Sequence, residues 1–132
     1  MTQKGTAAEG IFLKMLHENG IEAVHGSPSR PGDIIVPPDV IIEIKDPKSN
    51  SFSFRQHSGK GEAQWNALRE MRGKFPWEIY YVIRFNRREW RYFNLPEKPV
   101  PLKIRSSLRI EGLFDLLRSK QQEYVRIAGV RL

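Results

Sequence analysis

Apolar side chains at helical spacing mark the first element of the chain. Residues 6–19 contain four of them, with Thr6 and Glu9 at the spacing of a capping box and Gly20 where a helix would end. The four apolar positions are Ile11, Phe12, Met15 and Leu16. The pattern predicts a helix over 6–19, and the largely apolar residues 21–24 predict a short strand after it.

Two runs of β-branched residues predict a hairpin in the next part of the chain. Residues 25–32 are rich in Gly, Ser and Pro, which is typical of a loop, and the runs 33–36 and 40–45 follow it. The connection 37–39, Pro-Pro-Asp, suits a three-residue turn. With this turn, one face of the hairpin is apolar and consists of Ile34, Val36, Val40, Ile42 and Ile44. The polar residues 46–60 predict an exposed, mobile loop.

The second half of the chain predicts two helices around a second pair of strands. Residues 62–72 form the first of these helices, and Gly73 is its predicted end. The strands are 77–85, the strongest β signal in the chain, and 90–95. The buried side of the helix 62–72 is predicted to hold Ala67, Leu68, Met71 and Phe75. Helical spacing predicts a last helix from four apolar positions: Ile110, Leu113, Phe114 and Leu117.

The order of these elements predicts the fold class. A helix, three strands, a helix, two strands and a helix form an α/β domain with a central mixed five-stranded sheet flanked by helices. The 132 residues fit a single domain, 1–132, in which the tail 119–132 has no assigned structure.

The charge of the chain points to a polyanionic partner. Lys and Arg number 22 against 15 Asp and Glu, a net charge of +7, and nucleic acid is the usual partner of so basic a domain. An ordinary basic surface is the other interpretation. The chain has no cysteine, which excludes disulfides, cysteine-ligated metals and thiol nucleophiles. No apolar run reaches the roughly 20 residues of a membrane span, and the first residues lack a signal core. We therefore expect a cytoplasmic protein without membrane association.

The predicted hairpin brings two carboxylates and a lysine to one face. Counting outward from the turn, Asp33 lies opposite Glu43, and Lys45 shares the face of Glu43 because side chains alternate along a strand. Two like charges this close destabilise the fold without a partner, and Lys45 offsets only one of them. A divalent cation such as Mg²⁺, which prefers carboxylate oxygens, would offset both. The competing interpretation is a solvated strand end with a surface ion pair.

The spacing Asp33–x9–Glu43-Ile44-Lys45 resembles the signature of PD-(D/E)xK nucleases. More narrowly, the chain is similar to archaeal-type Holliday junction resolvases, in order over about residues 4–95, from Lys4-Gly5-Thr6 to the late strand pair. The resemblance implies a restriction-endonuclease-like fold. It also implies a homodimeric endonuclease that uses Mg²⁺, or Mn²⁺ in its place, to cut four-way DNA junctions in recombination and repair.

The resemblance further implies roles for individual residues. Asp33 and Glu43 would be catalytic carboxylates that hold the metal, and the backbone carbonyl of Ile44 would complete the site. Lys45 would be the catalytic lysine. Glu9 would be the carboxylate of the first helix, acting on the metal directly or through water, although the capping box explains this glutamate equally well.

Six further residues are candidates for DNA contacts: Arg30, Lys48, Arg55, His57, Lys60 and Gln64. Basic side chains in such positions contact phosphates without reading sequence. A second basic cluster surrounds the turn after the strand 77–85 and consists of Arg84, Arg87, Arg88 and Arg91. For both clusters a solvated charged surface is the alternative, and His57 and Gln64 have the alternative of simple exposure.

Three features depart from the resolvase pattern. Gly10 stands where members of the family often carry an arginine, His25 stands at a second basic position, and the polar segment 46–60 is longer than expected. The leading hypothesis is nevertheless a Mg²⁺-dependent, structure-selective endonuclease that resolves four-way junctions by paired phosphodiester hydrolysis. The alternatives are a nuclease of the same superfamily that acts on flaps, DNA ends or a restriction site, and a non-catalytic DNA-binding module.

Overall fold

The computed structural model of the protein describes residues 6–55 and 59–130. Within these ranges the chain contains three helices, α1 (Thr6–Glu18), α2 (Lys60–Lys74) and α3 (Ile110–Ala128). The strands are β1 (Val24–His25), β2 (Ile34–Val36), β3 (Val40–Lys45), β4 (Ser51–Phe52), β5 (Glu78–Phe85), β6 (Glu89–Asn94), β7 (Leu102–Lys103) and β8 (Leu108–Arg109). No described helix combines the length and the apolar character that crossing a membrane requires.

Six of the strands form one mixed sheet in the order β1-β2-β3-β5-β6-β8. The central pair, β3 and β5, is parallel, and the other neighbours are antiparallel. The connection between β3 and β5 contains α2, as a parallel crossover requires. The remaining strands, β4 and β7, form a separate two-stranded sheet. The predicted mixed α/β architecture is confirmed, with six strands in the main sheet instead of five because β8 pairs with β6.

The main sheet is buried on both faces. On one face, α1 and α3 contribute Phe12, Leu16, Leu113 and Leu117 to a core cluster that includes the predicted apolar face of the hairpin. On the other face, Trp65 and Leu68 of α2 pack with Phe52 and Phe54 against the opposite side of β3 and β5. Burial on both faces explains why β3 and β5 read as almost continuous apolar runs. A polar side chain on either strand is therefore conspicuous.

Two of the predicted elements differ in extent near the termini. The strand predicted over 21–24 is β1, only Val24–His25, although Ile21 and Ala23 are buried in the core. The unassigned tail from 119 continues α3 as far as Ala128.

The segment 46–55 is not the exposed loop that its polar composition predicted. Phe52 and Phe54 are 8% and 1% exposed, and β4 pairs with β7. Gly61 explains the close docking of α2 on this segment, since a Cβ there would lie 2.8 Å from the Phe54 carbonyl oxygen. Two aromatic residues thus anchor a chain whose other side chains are polar.

Three predictions for α2 and α1 were wrong: the end of α2 at Gly73, and the burial of Phe75 and Ile11. The helix α2 passes through Gly73 and ends at Lys74, so Phe75 lies outside the helix and is 57% exposed. Trp65 takes the buried position instead, and its indole N–H donates to the Pro96 carbonyl at 2.8 Å. Ile11 of α1 is 44% exposed, because the buried stripe of that helix follows Ala8, Phe12 and Leu16.

Candidate active site

The β2–β3 hairpin has the predicted register. Ile34 pairs with Ile42 and Val36 with Val40, and the Asp33 N–H donates to the Ile42 carbonyl at 2.9 Å. This bond extends the pairing by one residue and brings Asp33 level with Glu43. The carboxylate of Asp33 turns back to the strand and accepts a hydrogen bond from the Ile44 N–H at 2.7 Å.

Two glycines in the preceding loop allow this placement of Asp33. Gly32 has a φ of +98°, and a Cβ on it would lie 2.4 Å from Cγ2 of Ile41. The Gly26 N–H donates to the Asp33 carbonyl at 2.8 Å, and a Cβ on Gly26 would lie 2.5 Å from the Gly32 carbonyl oxygen. Any larger residue at either position would displace the backbone that carries the carboxylate.

The two carboxylates concentrate negative charge in a buried place. Glu43 is 4% exposed. Burial first, and then the charge of Asp33, raise the pKa of Glu43 to about 7, although Lys45 opposes the rise. The pKa of Asp33 is also raised, chiefly by burial, against the hydrogen bond from Ile44. Burial, more than the repulsion between the two groups, thus disfavours the charged form of both carboxylates.

Lys45 lies on the predicted face beside the acidic pair. Its Nζ is 3.2 Å from Oε2 of Glu43 and donates to Oε1 of Gln64 at 2.5 Å. The same ammonium lies 5.5 Å from the centre of the Phe52 ring. Gln64, a DNA-binding candidate by sequence, is therefore brought to the site through contact with the lysine.

Glu9 reaches the site from α1 by a different route. Its carboxylate is hydrogen-bonded to Nδ1 of His25, and its charge raises the pKa of both Asp33 and Glu43. Among the described residues, no three His, Cys, Asp or Glu side chains are grouped closely enough to hold one ion. The role of Glu9 as a metal ligand, direct or through water, therefore stays a prediction, and so does the alternative that it caps the helix.

The donor chemistry of Asp33 and Glu43 fits a divalent cation. Carboxylate oxygens are the ligands Mg²⁺ and Mn²⁺ prefer, and Mg²⁺ usually takes only one or two of them together with waters. Burial raises the pKa of both carboxyls, and a bound cation would favour their ionised forms. The Ile44 carbonyl, on the residue between Glu43 and Lys45, is the predicted third protein oxygen.

A residue that the sequence interpretation did not select also faces this pair. Tyr81 of β5 is level with Glu43 of β3 in the parallel register, and its buried hydroxyl has no hydrogen-bond partner in the described part of the chain. The pairing of Tyr81 with Glu43 could not be predicted from the sequence, because the register between two parallel strands depends on a crossover connection and not on a tight turn.

The candidate DNA-contact residues surround the elements that carry the site. Arg30 is exposed in the loop before Asp33, and Lys48 is exposed three residues after Lys45. Two further basic residues, Arg55 and Lys60, are exposed before α2 and at its first residue. His57 lies outside the described residues.

The arginine cluster after β5 is largely committed to internal contacts. Arg84 donates to both oxygens of Asp46, at 2.9 and 2.8 Å, and stacks over Trp90. Arg91 donates to the Ser107 hydroxyl at 2.7 Å. Only Arg87 and Arg88 of this cluster are exposed. Better candidates for phosphate contacts are therefore the exposed residues Arg30, Lys48, Arg55 and Lys60.

A mixed sheet with a β-hairpin beside a parallel central strand pair and helices on both faces is a restriction-endonuclease-like fold, which confirms the predicted fold class. A similar solved structure, at 1.6 Å, is that of Hjc from Archaeoglobus fulgidus, a Holliday junction resolvase from an archaeal hyperthermophile. The TM-score is 0.65 and the identity 22%, over 85% of this chain and 96% of that chain. No protein-family model and no curated protein matches the sequence. The predicted resemblance is thus confirmed at the level of the fold.

Proposed function

We propose that the protein is a divalent-metal-dependent DNA endonuclease of the archaeal-type Holliday junction resolvase family, acting on four-way junctions as a homodimer. The observation that carries the proposal is the pair of Asp33, half-buried, and Glu43, buried, with Lys45 beside it, on the hairpin of a restriction-endonuclease-like fold. Two neighbouring carboxylates in a basic protein repel each other, and a bound cation would offset that repulsion and attract the phosphodiester.

Each residue of the site has a task in phosphodiester hydrolysis. Asp33 and Glu43 would hold a Mg²⁺ or Mn²⁺ ion, which when bound makes water a better nucleophile and withdraws charge from the phosphate. The carboxylate of Asp33 is oriented for this task by the Ile44 N–H. The ammonium of Lys45, held by Gln64, stabilises the negative charge that develops on the phosphate oxygens. Water attacks phosphorus in line, the bond to the 3′ oxygen breaks, and a 5′-phosphate remains.

Exposed basic residues would hold the DNA backbone around this acidic centre. Arg30 lies in the loop before Asp33, and Lys48 follows Lys45 by three residues. Near Gln64, Arg55 precedes α2 and Lys60 is its first residue. Such contacts position the duplex arms without reading sequence. Two protomers related by a two-fold axis would then place two such centres on symmetry-related strands of a junction.

A second candidate is a nuclease of the same class with a different DNA substrate. The ordered segment 46–55, tied to β7 through β4 and to α2 through Gly61, lies directly after the catalytic strand. His25, and not an arginine, contacts Glu9. Both features border the place where DNA would bind. They therefore favour a substrate other than the four-way junction, such as a flap or a DNA end.

Cleavage assays with Mg²⁺ or EDTA on a four-way junction, a flap, a linear duplex and a single strand test both candidates. We expect symmetric cuts in the junction that require the metal. Glu43→Gln should abolish cutting while junction binding remains, and Glu70→Gln, on the exposed side of α2, is the matched control. Cleavage that persists in EDTA would refute the metal mechanism. Equal cutting of every substrate would refute junction selectivity, and preferential cutting of flaps would support the second candidate.

A further inference from the structure

Tyr81 has a buried polar group that finds no partner among the described residues. The residue is 0% exposed, and its hydroxyl makes no hydrogen bond to residues 6–55 or 59–130. A buried hydroxyl of this kind is unusual, because losing its water without a replacement bond destabilises the fold. Phenylalanine would fill the same space without that cost, so the hydroxyl calls for an explanation.

The strand register places Tyr81 beside Glu43. The two are direct neighbours on the parallel strands β3 and β5, and residues in register share one face of a sheet. Burial, and after it the charges of Glu43 and Asp33, raise the pKa of Tyr81, so its hydroxyl keeps its proton and is a hydrogen-bond donor.

The aromatic residues of the segment 46–55 hold the ring in this direction. Phe54 packs edge-on against Tyr81 with ring centres 5.5 Å apart, and Phe52 lies 6.5 Å away. Phe52 also lies under the ammonium of Lys45. One side chain of this segment therefore contacts both the lysine and the tyrosine.

We propose that Tyr81 is a positioning residue of the metal site, whose hydroxyl donates a hydrogen bond to the Glu43 carboxylate when that carboxylate holds a divalent cation. The inference rests on the proposed function, since it takes Glu43 as a ligand of the ion. Carboxylates that bind metals are commonly oriented by such outer hydrogen bonds, and their loss typically weakens metal binding by about 10–100-fold. Such a bond would give the Tyr81 hydroxyl the acceptor that it lacks among the described residues.

The test compares Mn²⁺ and Mg²⁺ affinities of the wild type and Tyr81→Phe by isothermal titration calorimetry, with melting temperatures in EDTA and in saturating Mn²⁺. We expect binding at least about 10-fold weaker in Tyr81→Phe. In EDTA its melting temperature should equal or exceed that of the wild type, because the deleted hydroxyl has no partner there. Tyr92→Phe is the matched control: Tyr92 is a buried tyrosine on the other face of the sheet, and its loss should leave ion affinity unchanged.

The outcomes separate this inference from the proposed function. If the wild type binds Mn²⁺, Glu43→Gln does not, and Tyr81→Phe binds as tightly as the wild type, the role of Tyr81 is refuted and the metal site stands. If Tyr81→Phe lowers the melting temperature equally in EDTA and in Mn²⁺ with unchanged affinity, the hydroxyl is structural and the inference is again refuted. A wild type that binds neither ion would refute the inference together with the metal site.

Discussion

Two clusters, each with two carboxylates and a lysine, lie at opposite ends of the central strand pair. At the amino end of β3 and β5, Lys120 of α3 lies 3.2 Å from Asp39 and 2.6 Å from Glu78. The hydroxyl of Tyr80 donates to Glu78 at 2.9 Å. Although burial acts in the opposite direction, these hydrogen bonds lower the pKa of Glu78. The lysine contacts both carboxylates and the tyrosine donates to Glu78, and these contacts favour the ionised form of that glutamate.

The cluster at the carboxyl end has the same residue types and the opposite balance. Lys45 contacts Glu43 but shares its ammonium with Gln64, and Tyr81 donates to neither carboxylate. The pKa of Glu43 rises to about 7, where that of Glu78 falls. The contrast teaches that two clusters of the same composition can have opposite electrostatics. What distinguishes them is whether hydrogen bonds to the carboxylates outweigh the effect of burial.

The largest difference between the clusters should appear when each lysine is replaced. Lys45→Met should lower cleavage by about 100-fold or more, because it removes a charge that stabilises the reacting phosphate. Lys120→Met should leave cleavage unchanged and lower the free energy of unfolding by about 1 kcal/mol. Single-turnover cleavage and urea unfolding of both variants measure the two effects. A Lys120 variant that folds but loses cleavage would show that the two ends of the sheet are not separate in function.

The next difference concerns pH. In metal-free protein the raised pKa of Glu43 means that the folded state binds this proton more tightly than the unfolded chain. Stability should therefore fall as the pH rises from about 4.5 through about 7, by at most about 3 kcal/mol. Glu43→Gln should remove this fall. The lowered pKa of Glu78 contributes stability above its ordinary value of 4.5, which is lost as the pH drops through the lower folded value.

Urea unfolding in EDTA across this pH range measures both contributions. Glu78→Gln serves as the control, because it should change the acidic limb of the stability profile and leave the fall toward pH 7 in place. A Glu43→Gln profile parallel to that of the wild type would contradict the raised pKa of Glu43.

The smallest effect should come from Gln64, the residue that contacts the ammonium of Lys45. Gln64→Ala removes the oxygen that accepts from Lys45, and we expect cleavage about 10-fold slower with little change in stability. Asn66→Ala, an exposed change on the same helix, should leave the rate unchanged. Equal rates for the wild type and Gln64→Ala, measured at saturating DNA, would show that Lys45 needs no such support.

The hairpin could be predicted from the sequence because its register depends on local information. A three-residue turn and the two-residue period of a strand determine which side chains meet, and they placed Asp33 opposite Glu43 and Lys45 beside it. The fold class followed from the order of elements for a similar reason, since each long element carries its own periodicity.

What could not be predicted depends on contacts between distant parts of the chain. The contact of Gln64 with Lys45 requires α2 to pack over the carboxyl end of β3, and the pairing of Glu43 with Tyr81 requires the register of a crossover. The burial of Phe52 and Phe54 was hidden by the polar residues around them, because local composition reflects exposure only on average. Two-residue strands such as β8 leave no periodic signal at all.

The register of β5 also limits which changes of sequence this strand can accept during evolution. Tyr80 and Tyr81 point to opposite faces of the sheet, one toward each cluster. Inserting or deleting a single residue upstream in β5 would exchange the faces of every later side chain. Tyr81 would then leave the acidic pair and enter the packing beneath α1 and α3. Substitutions can be tested one at a time in this strand, but a change in its length would alter the active site and the core in a single step.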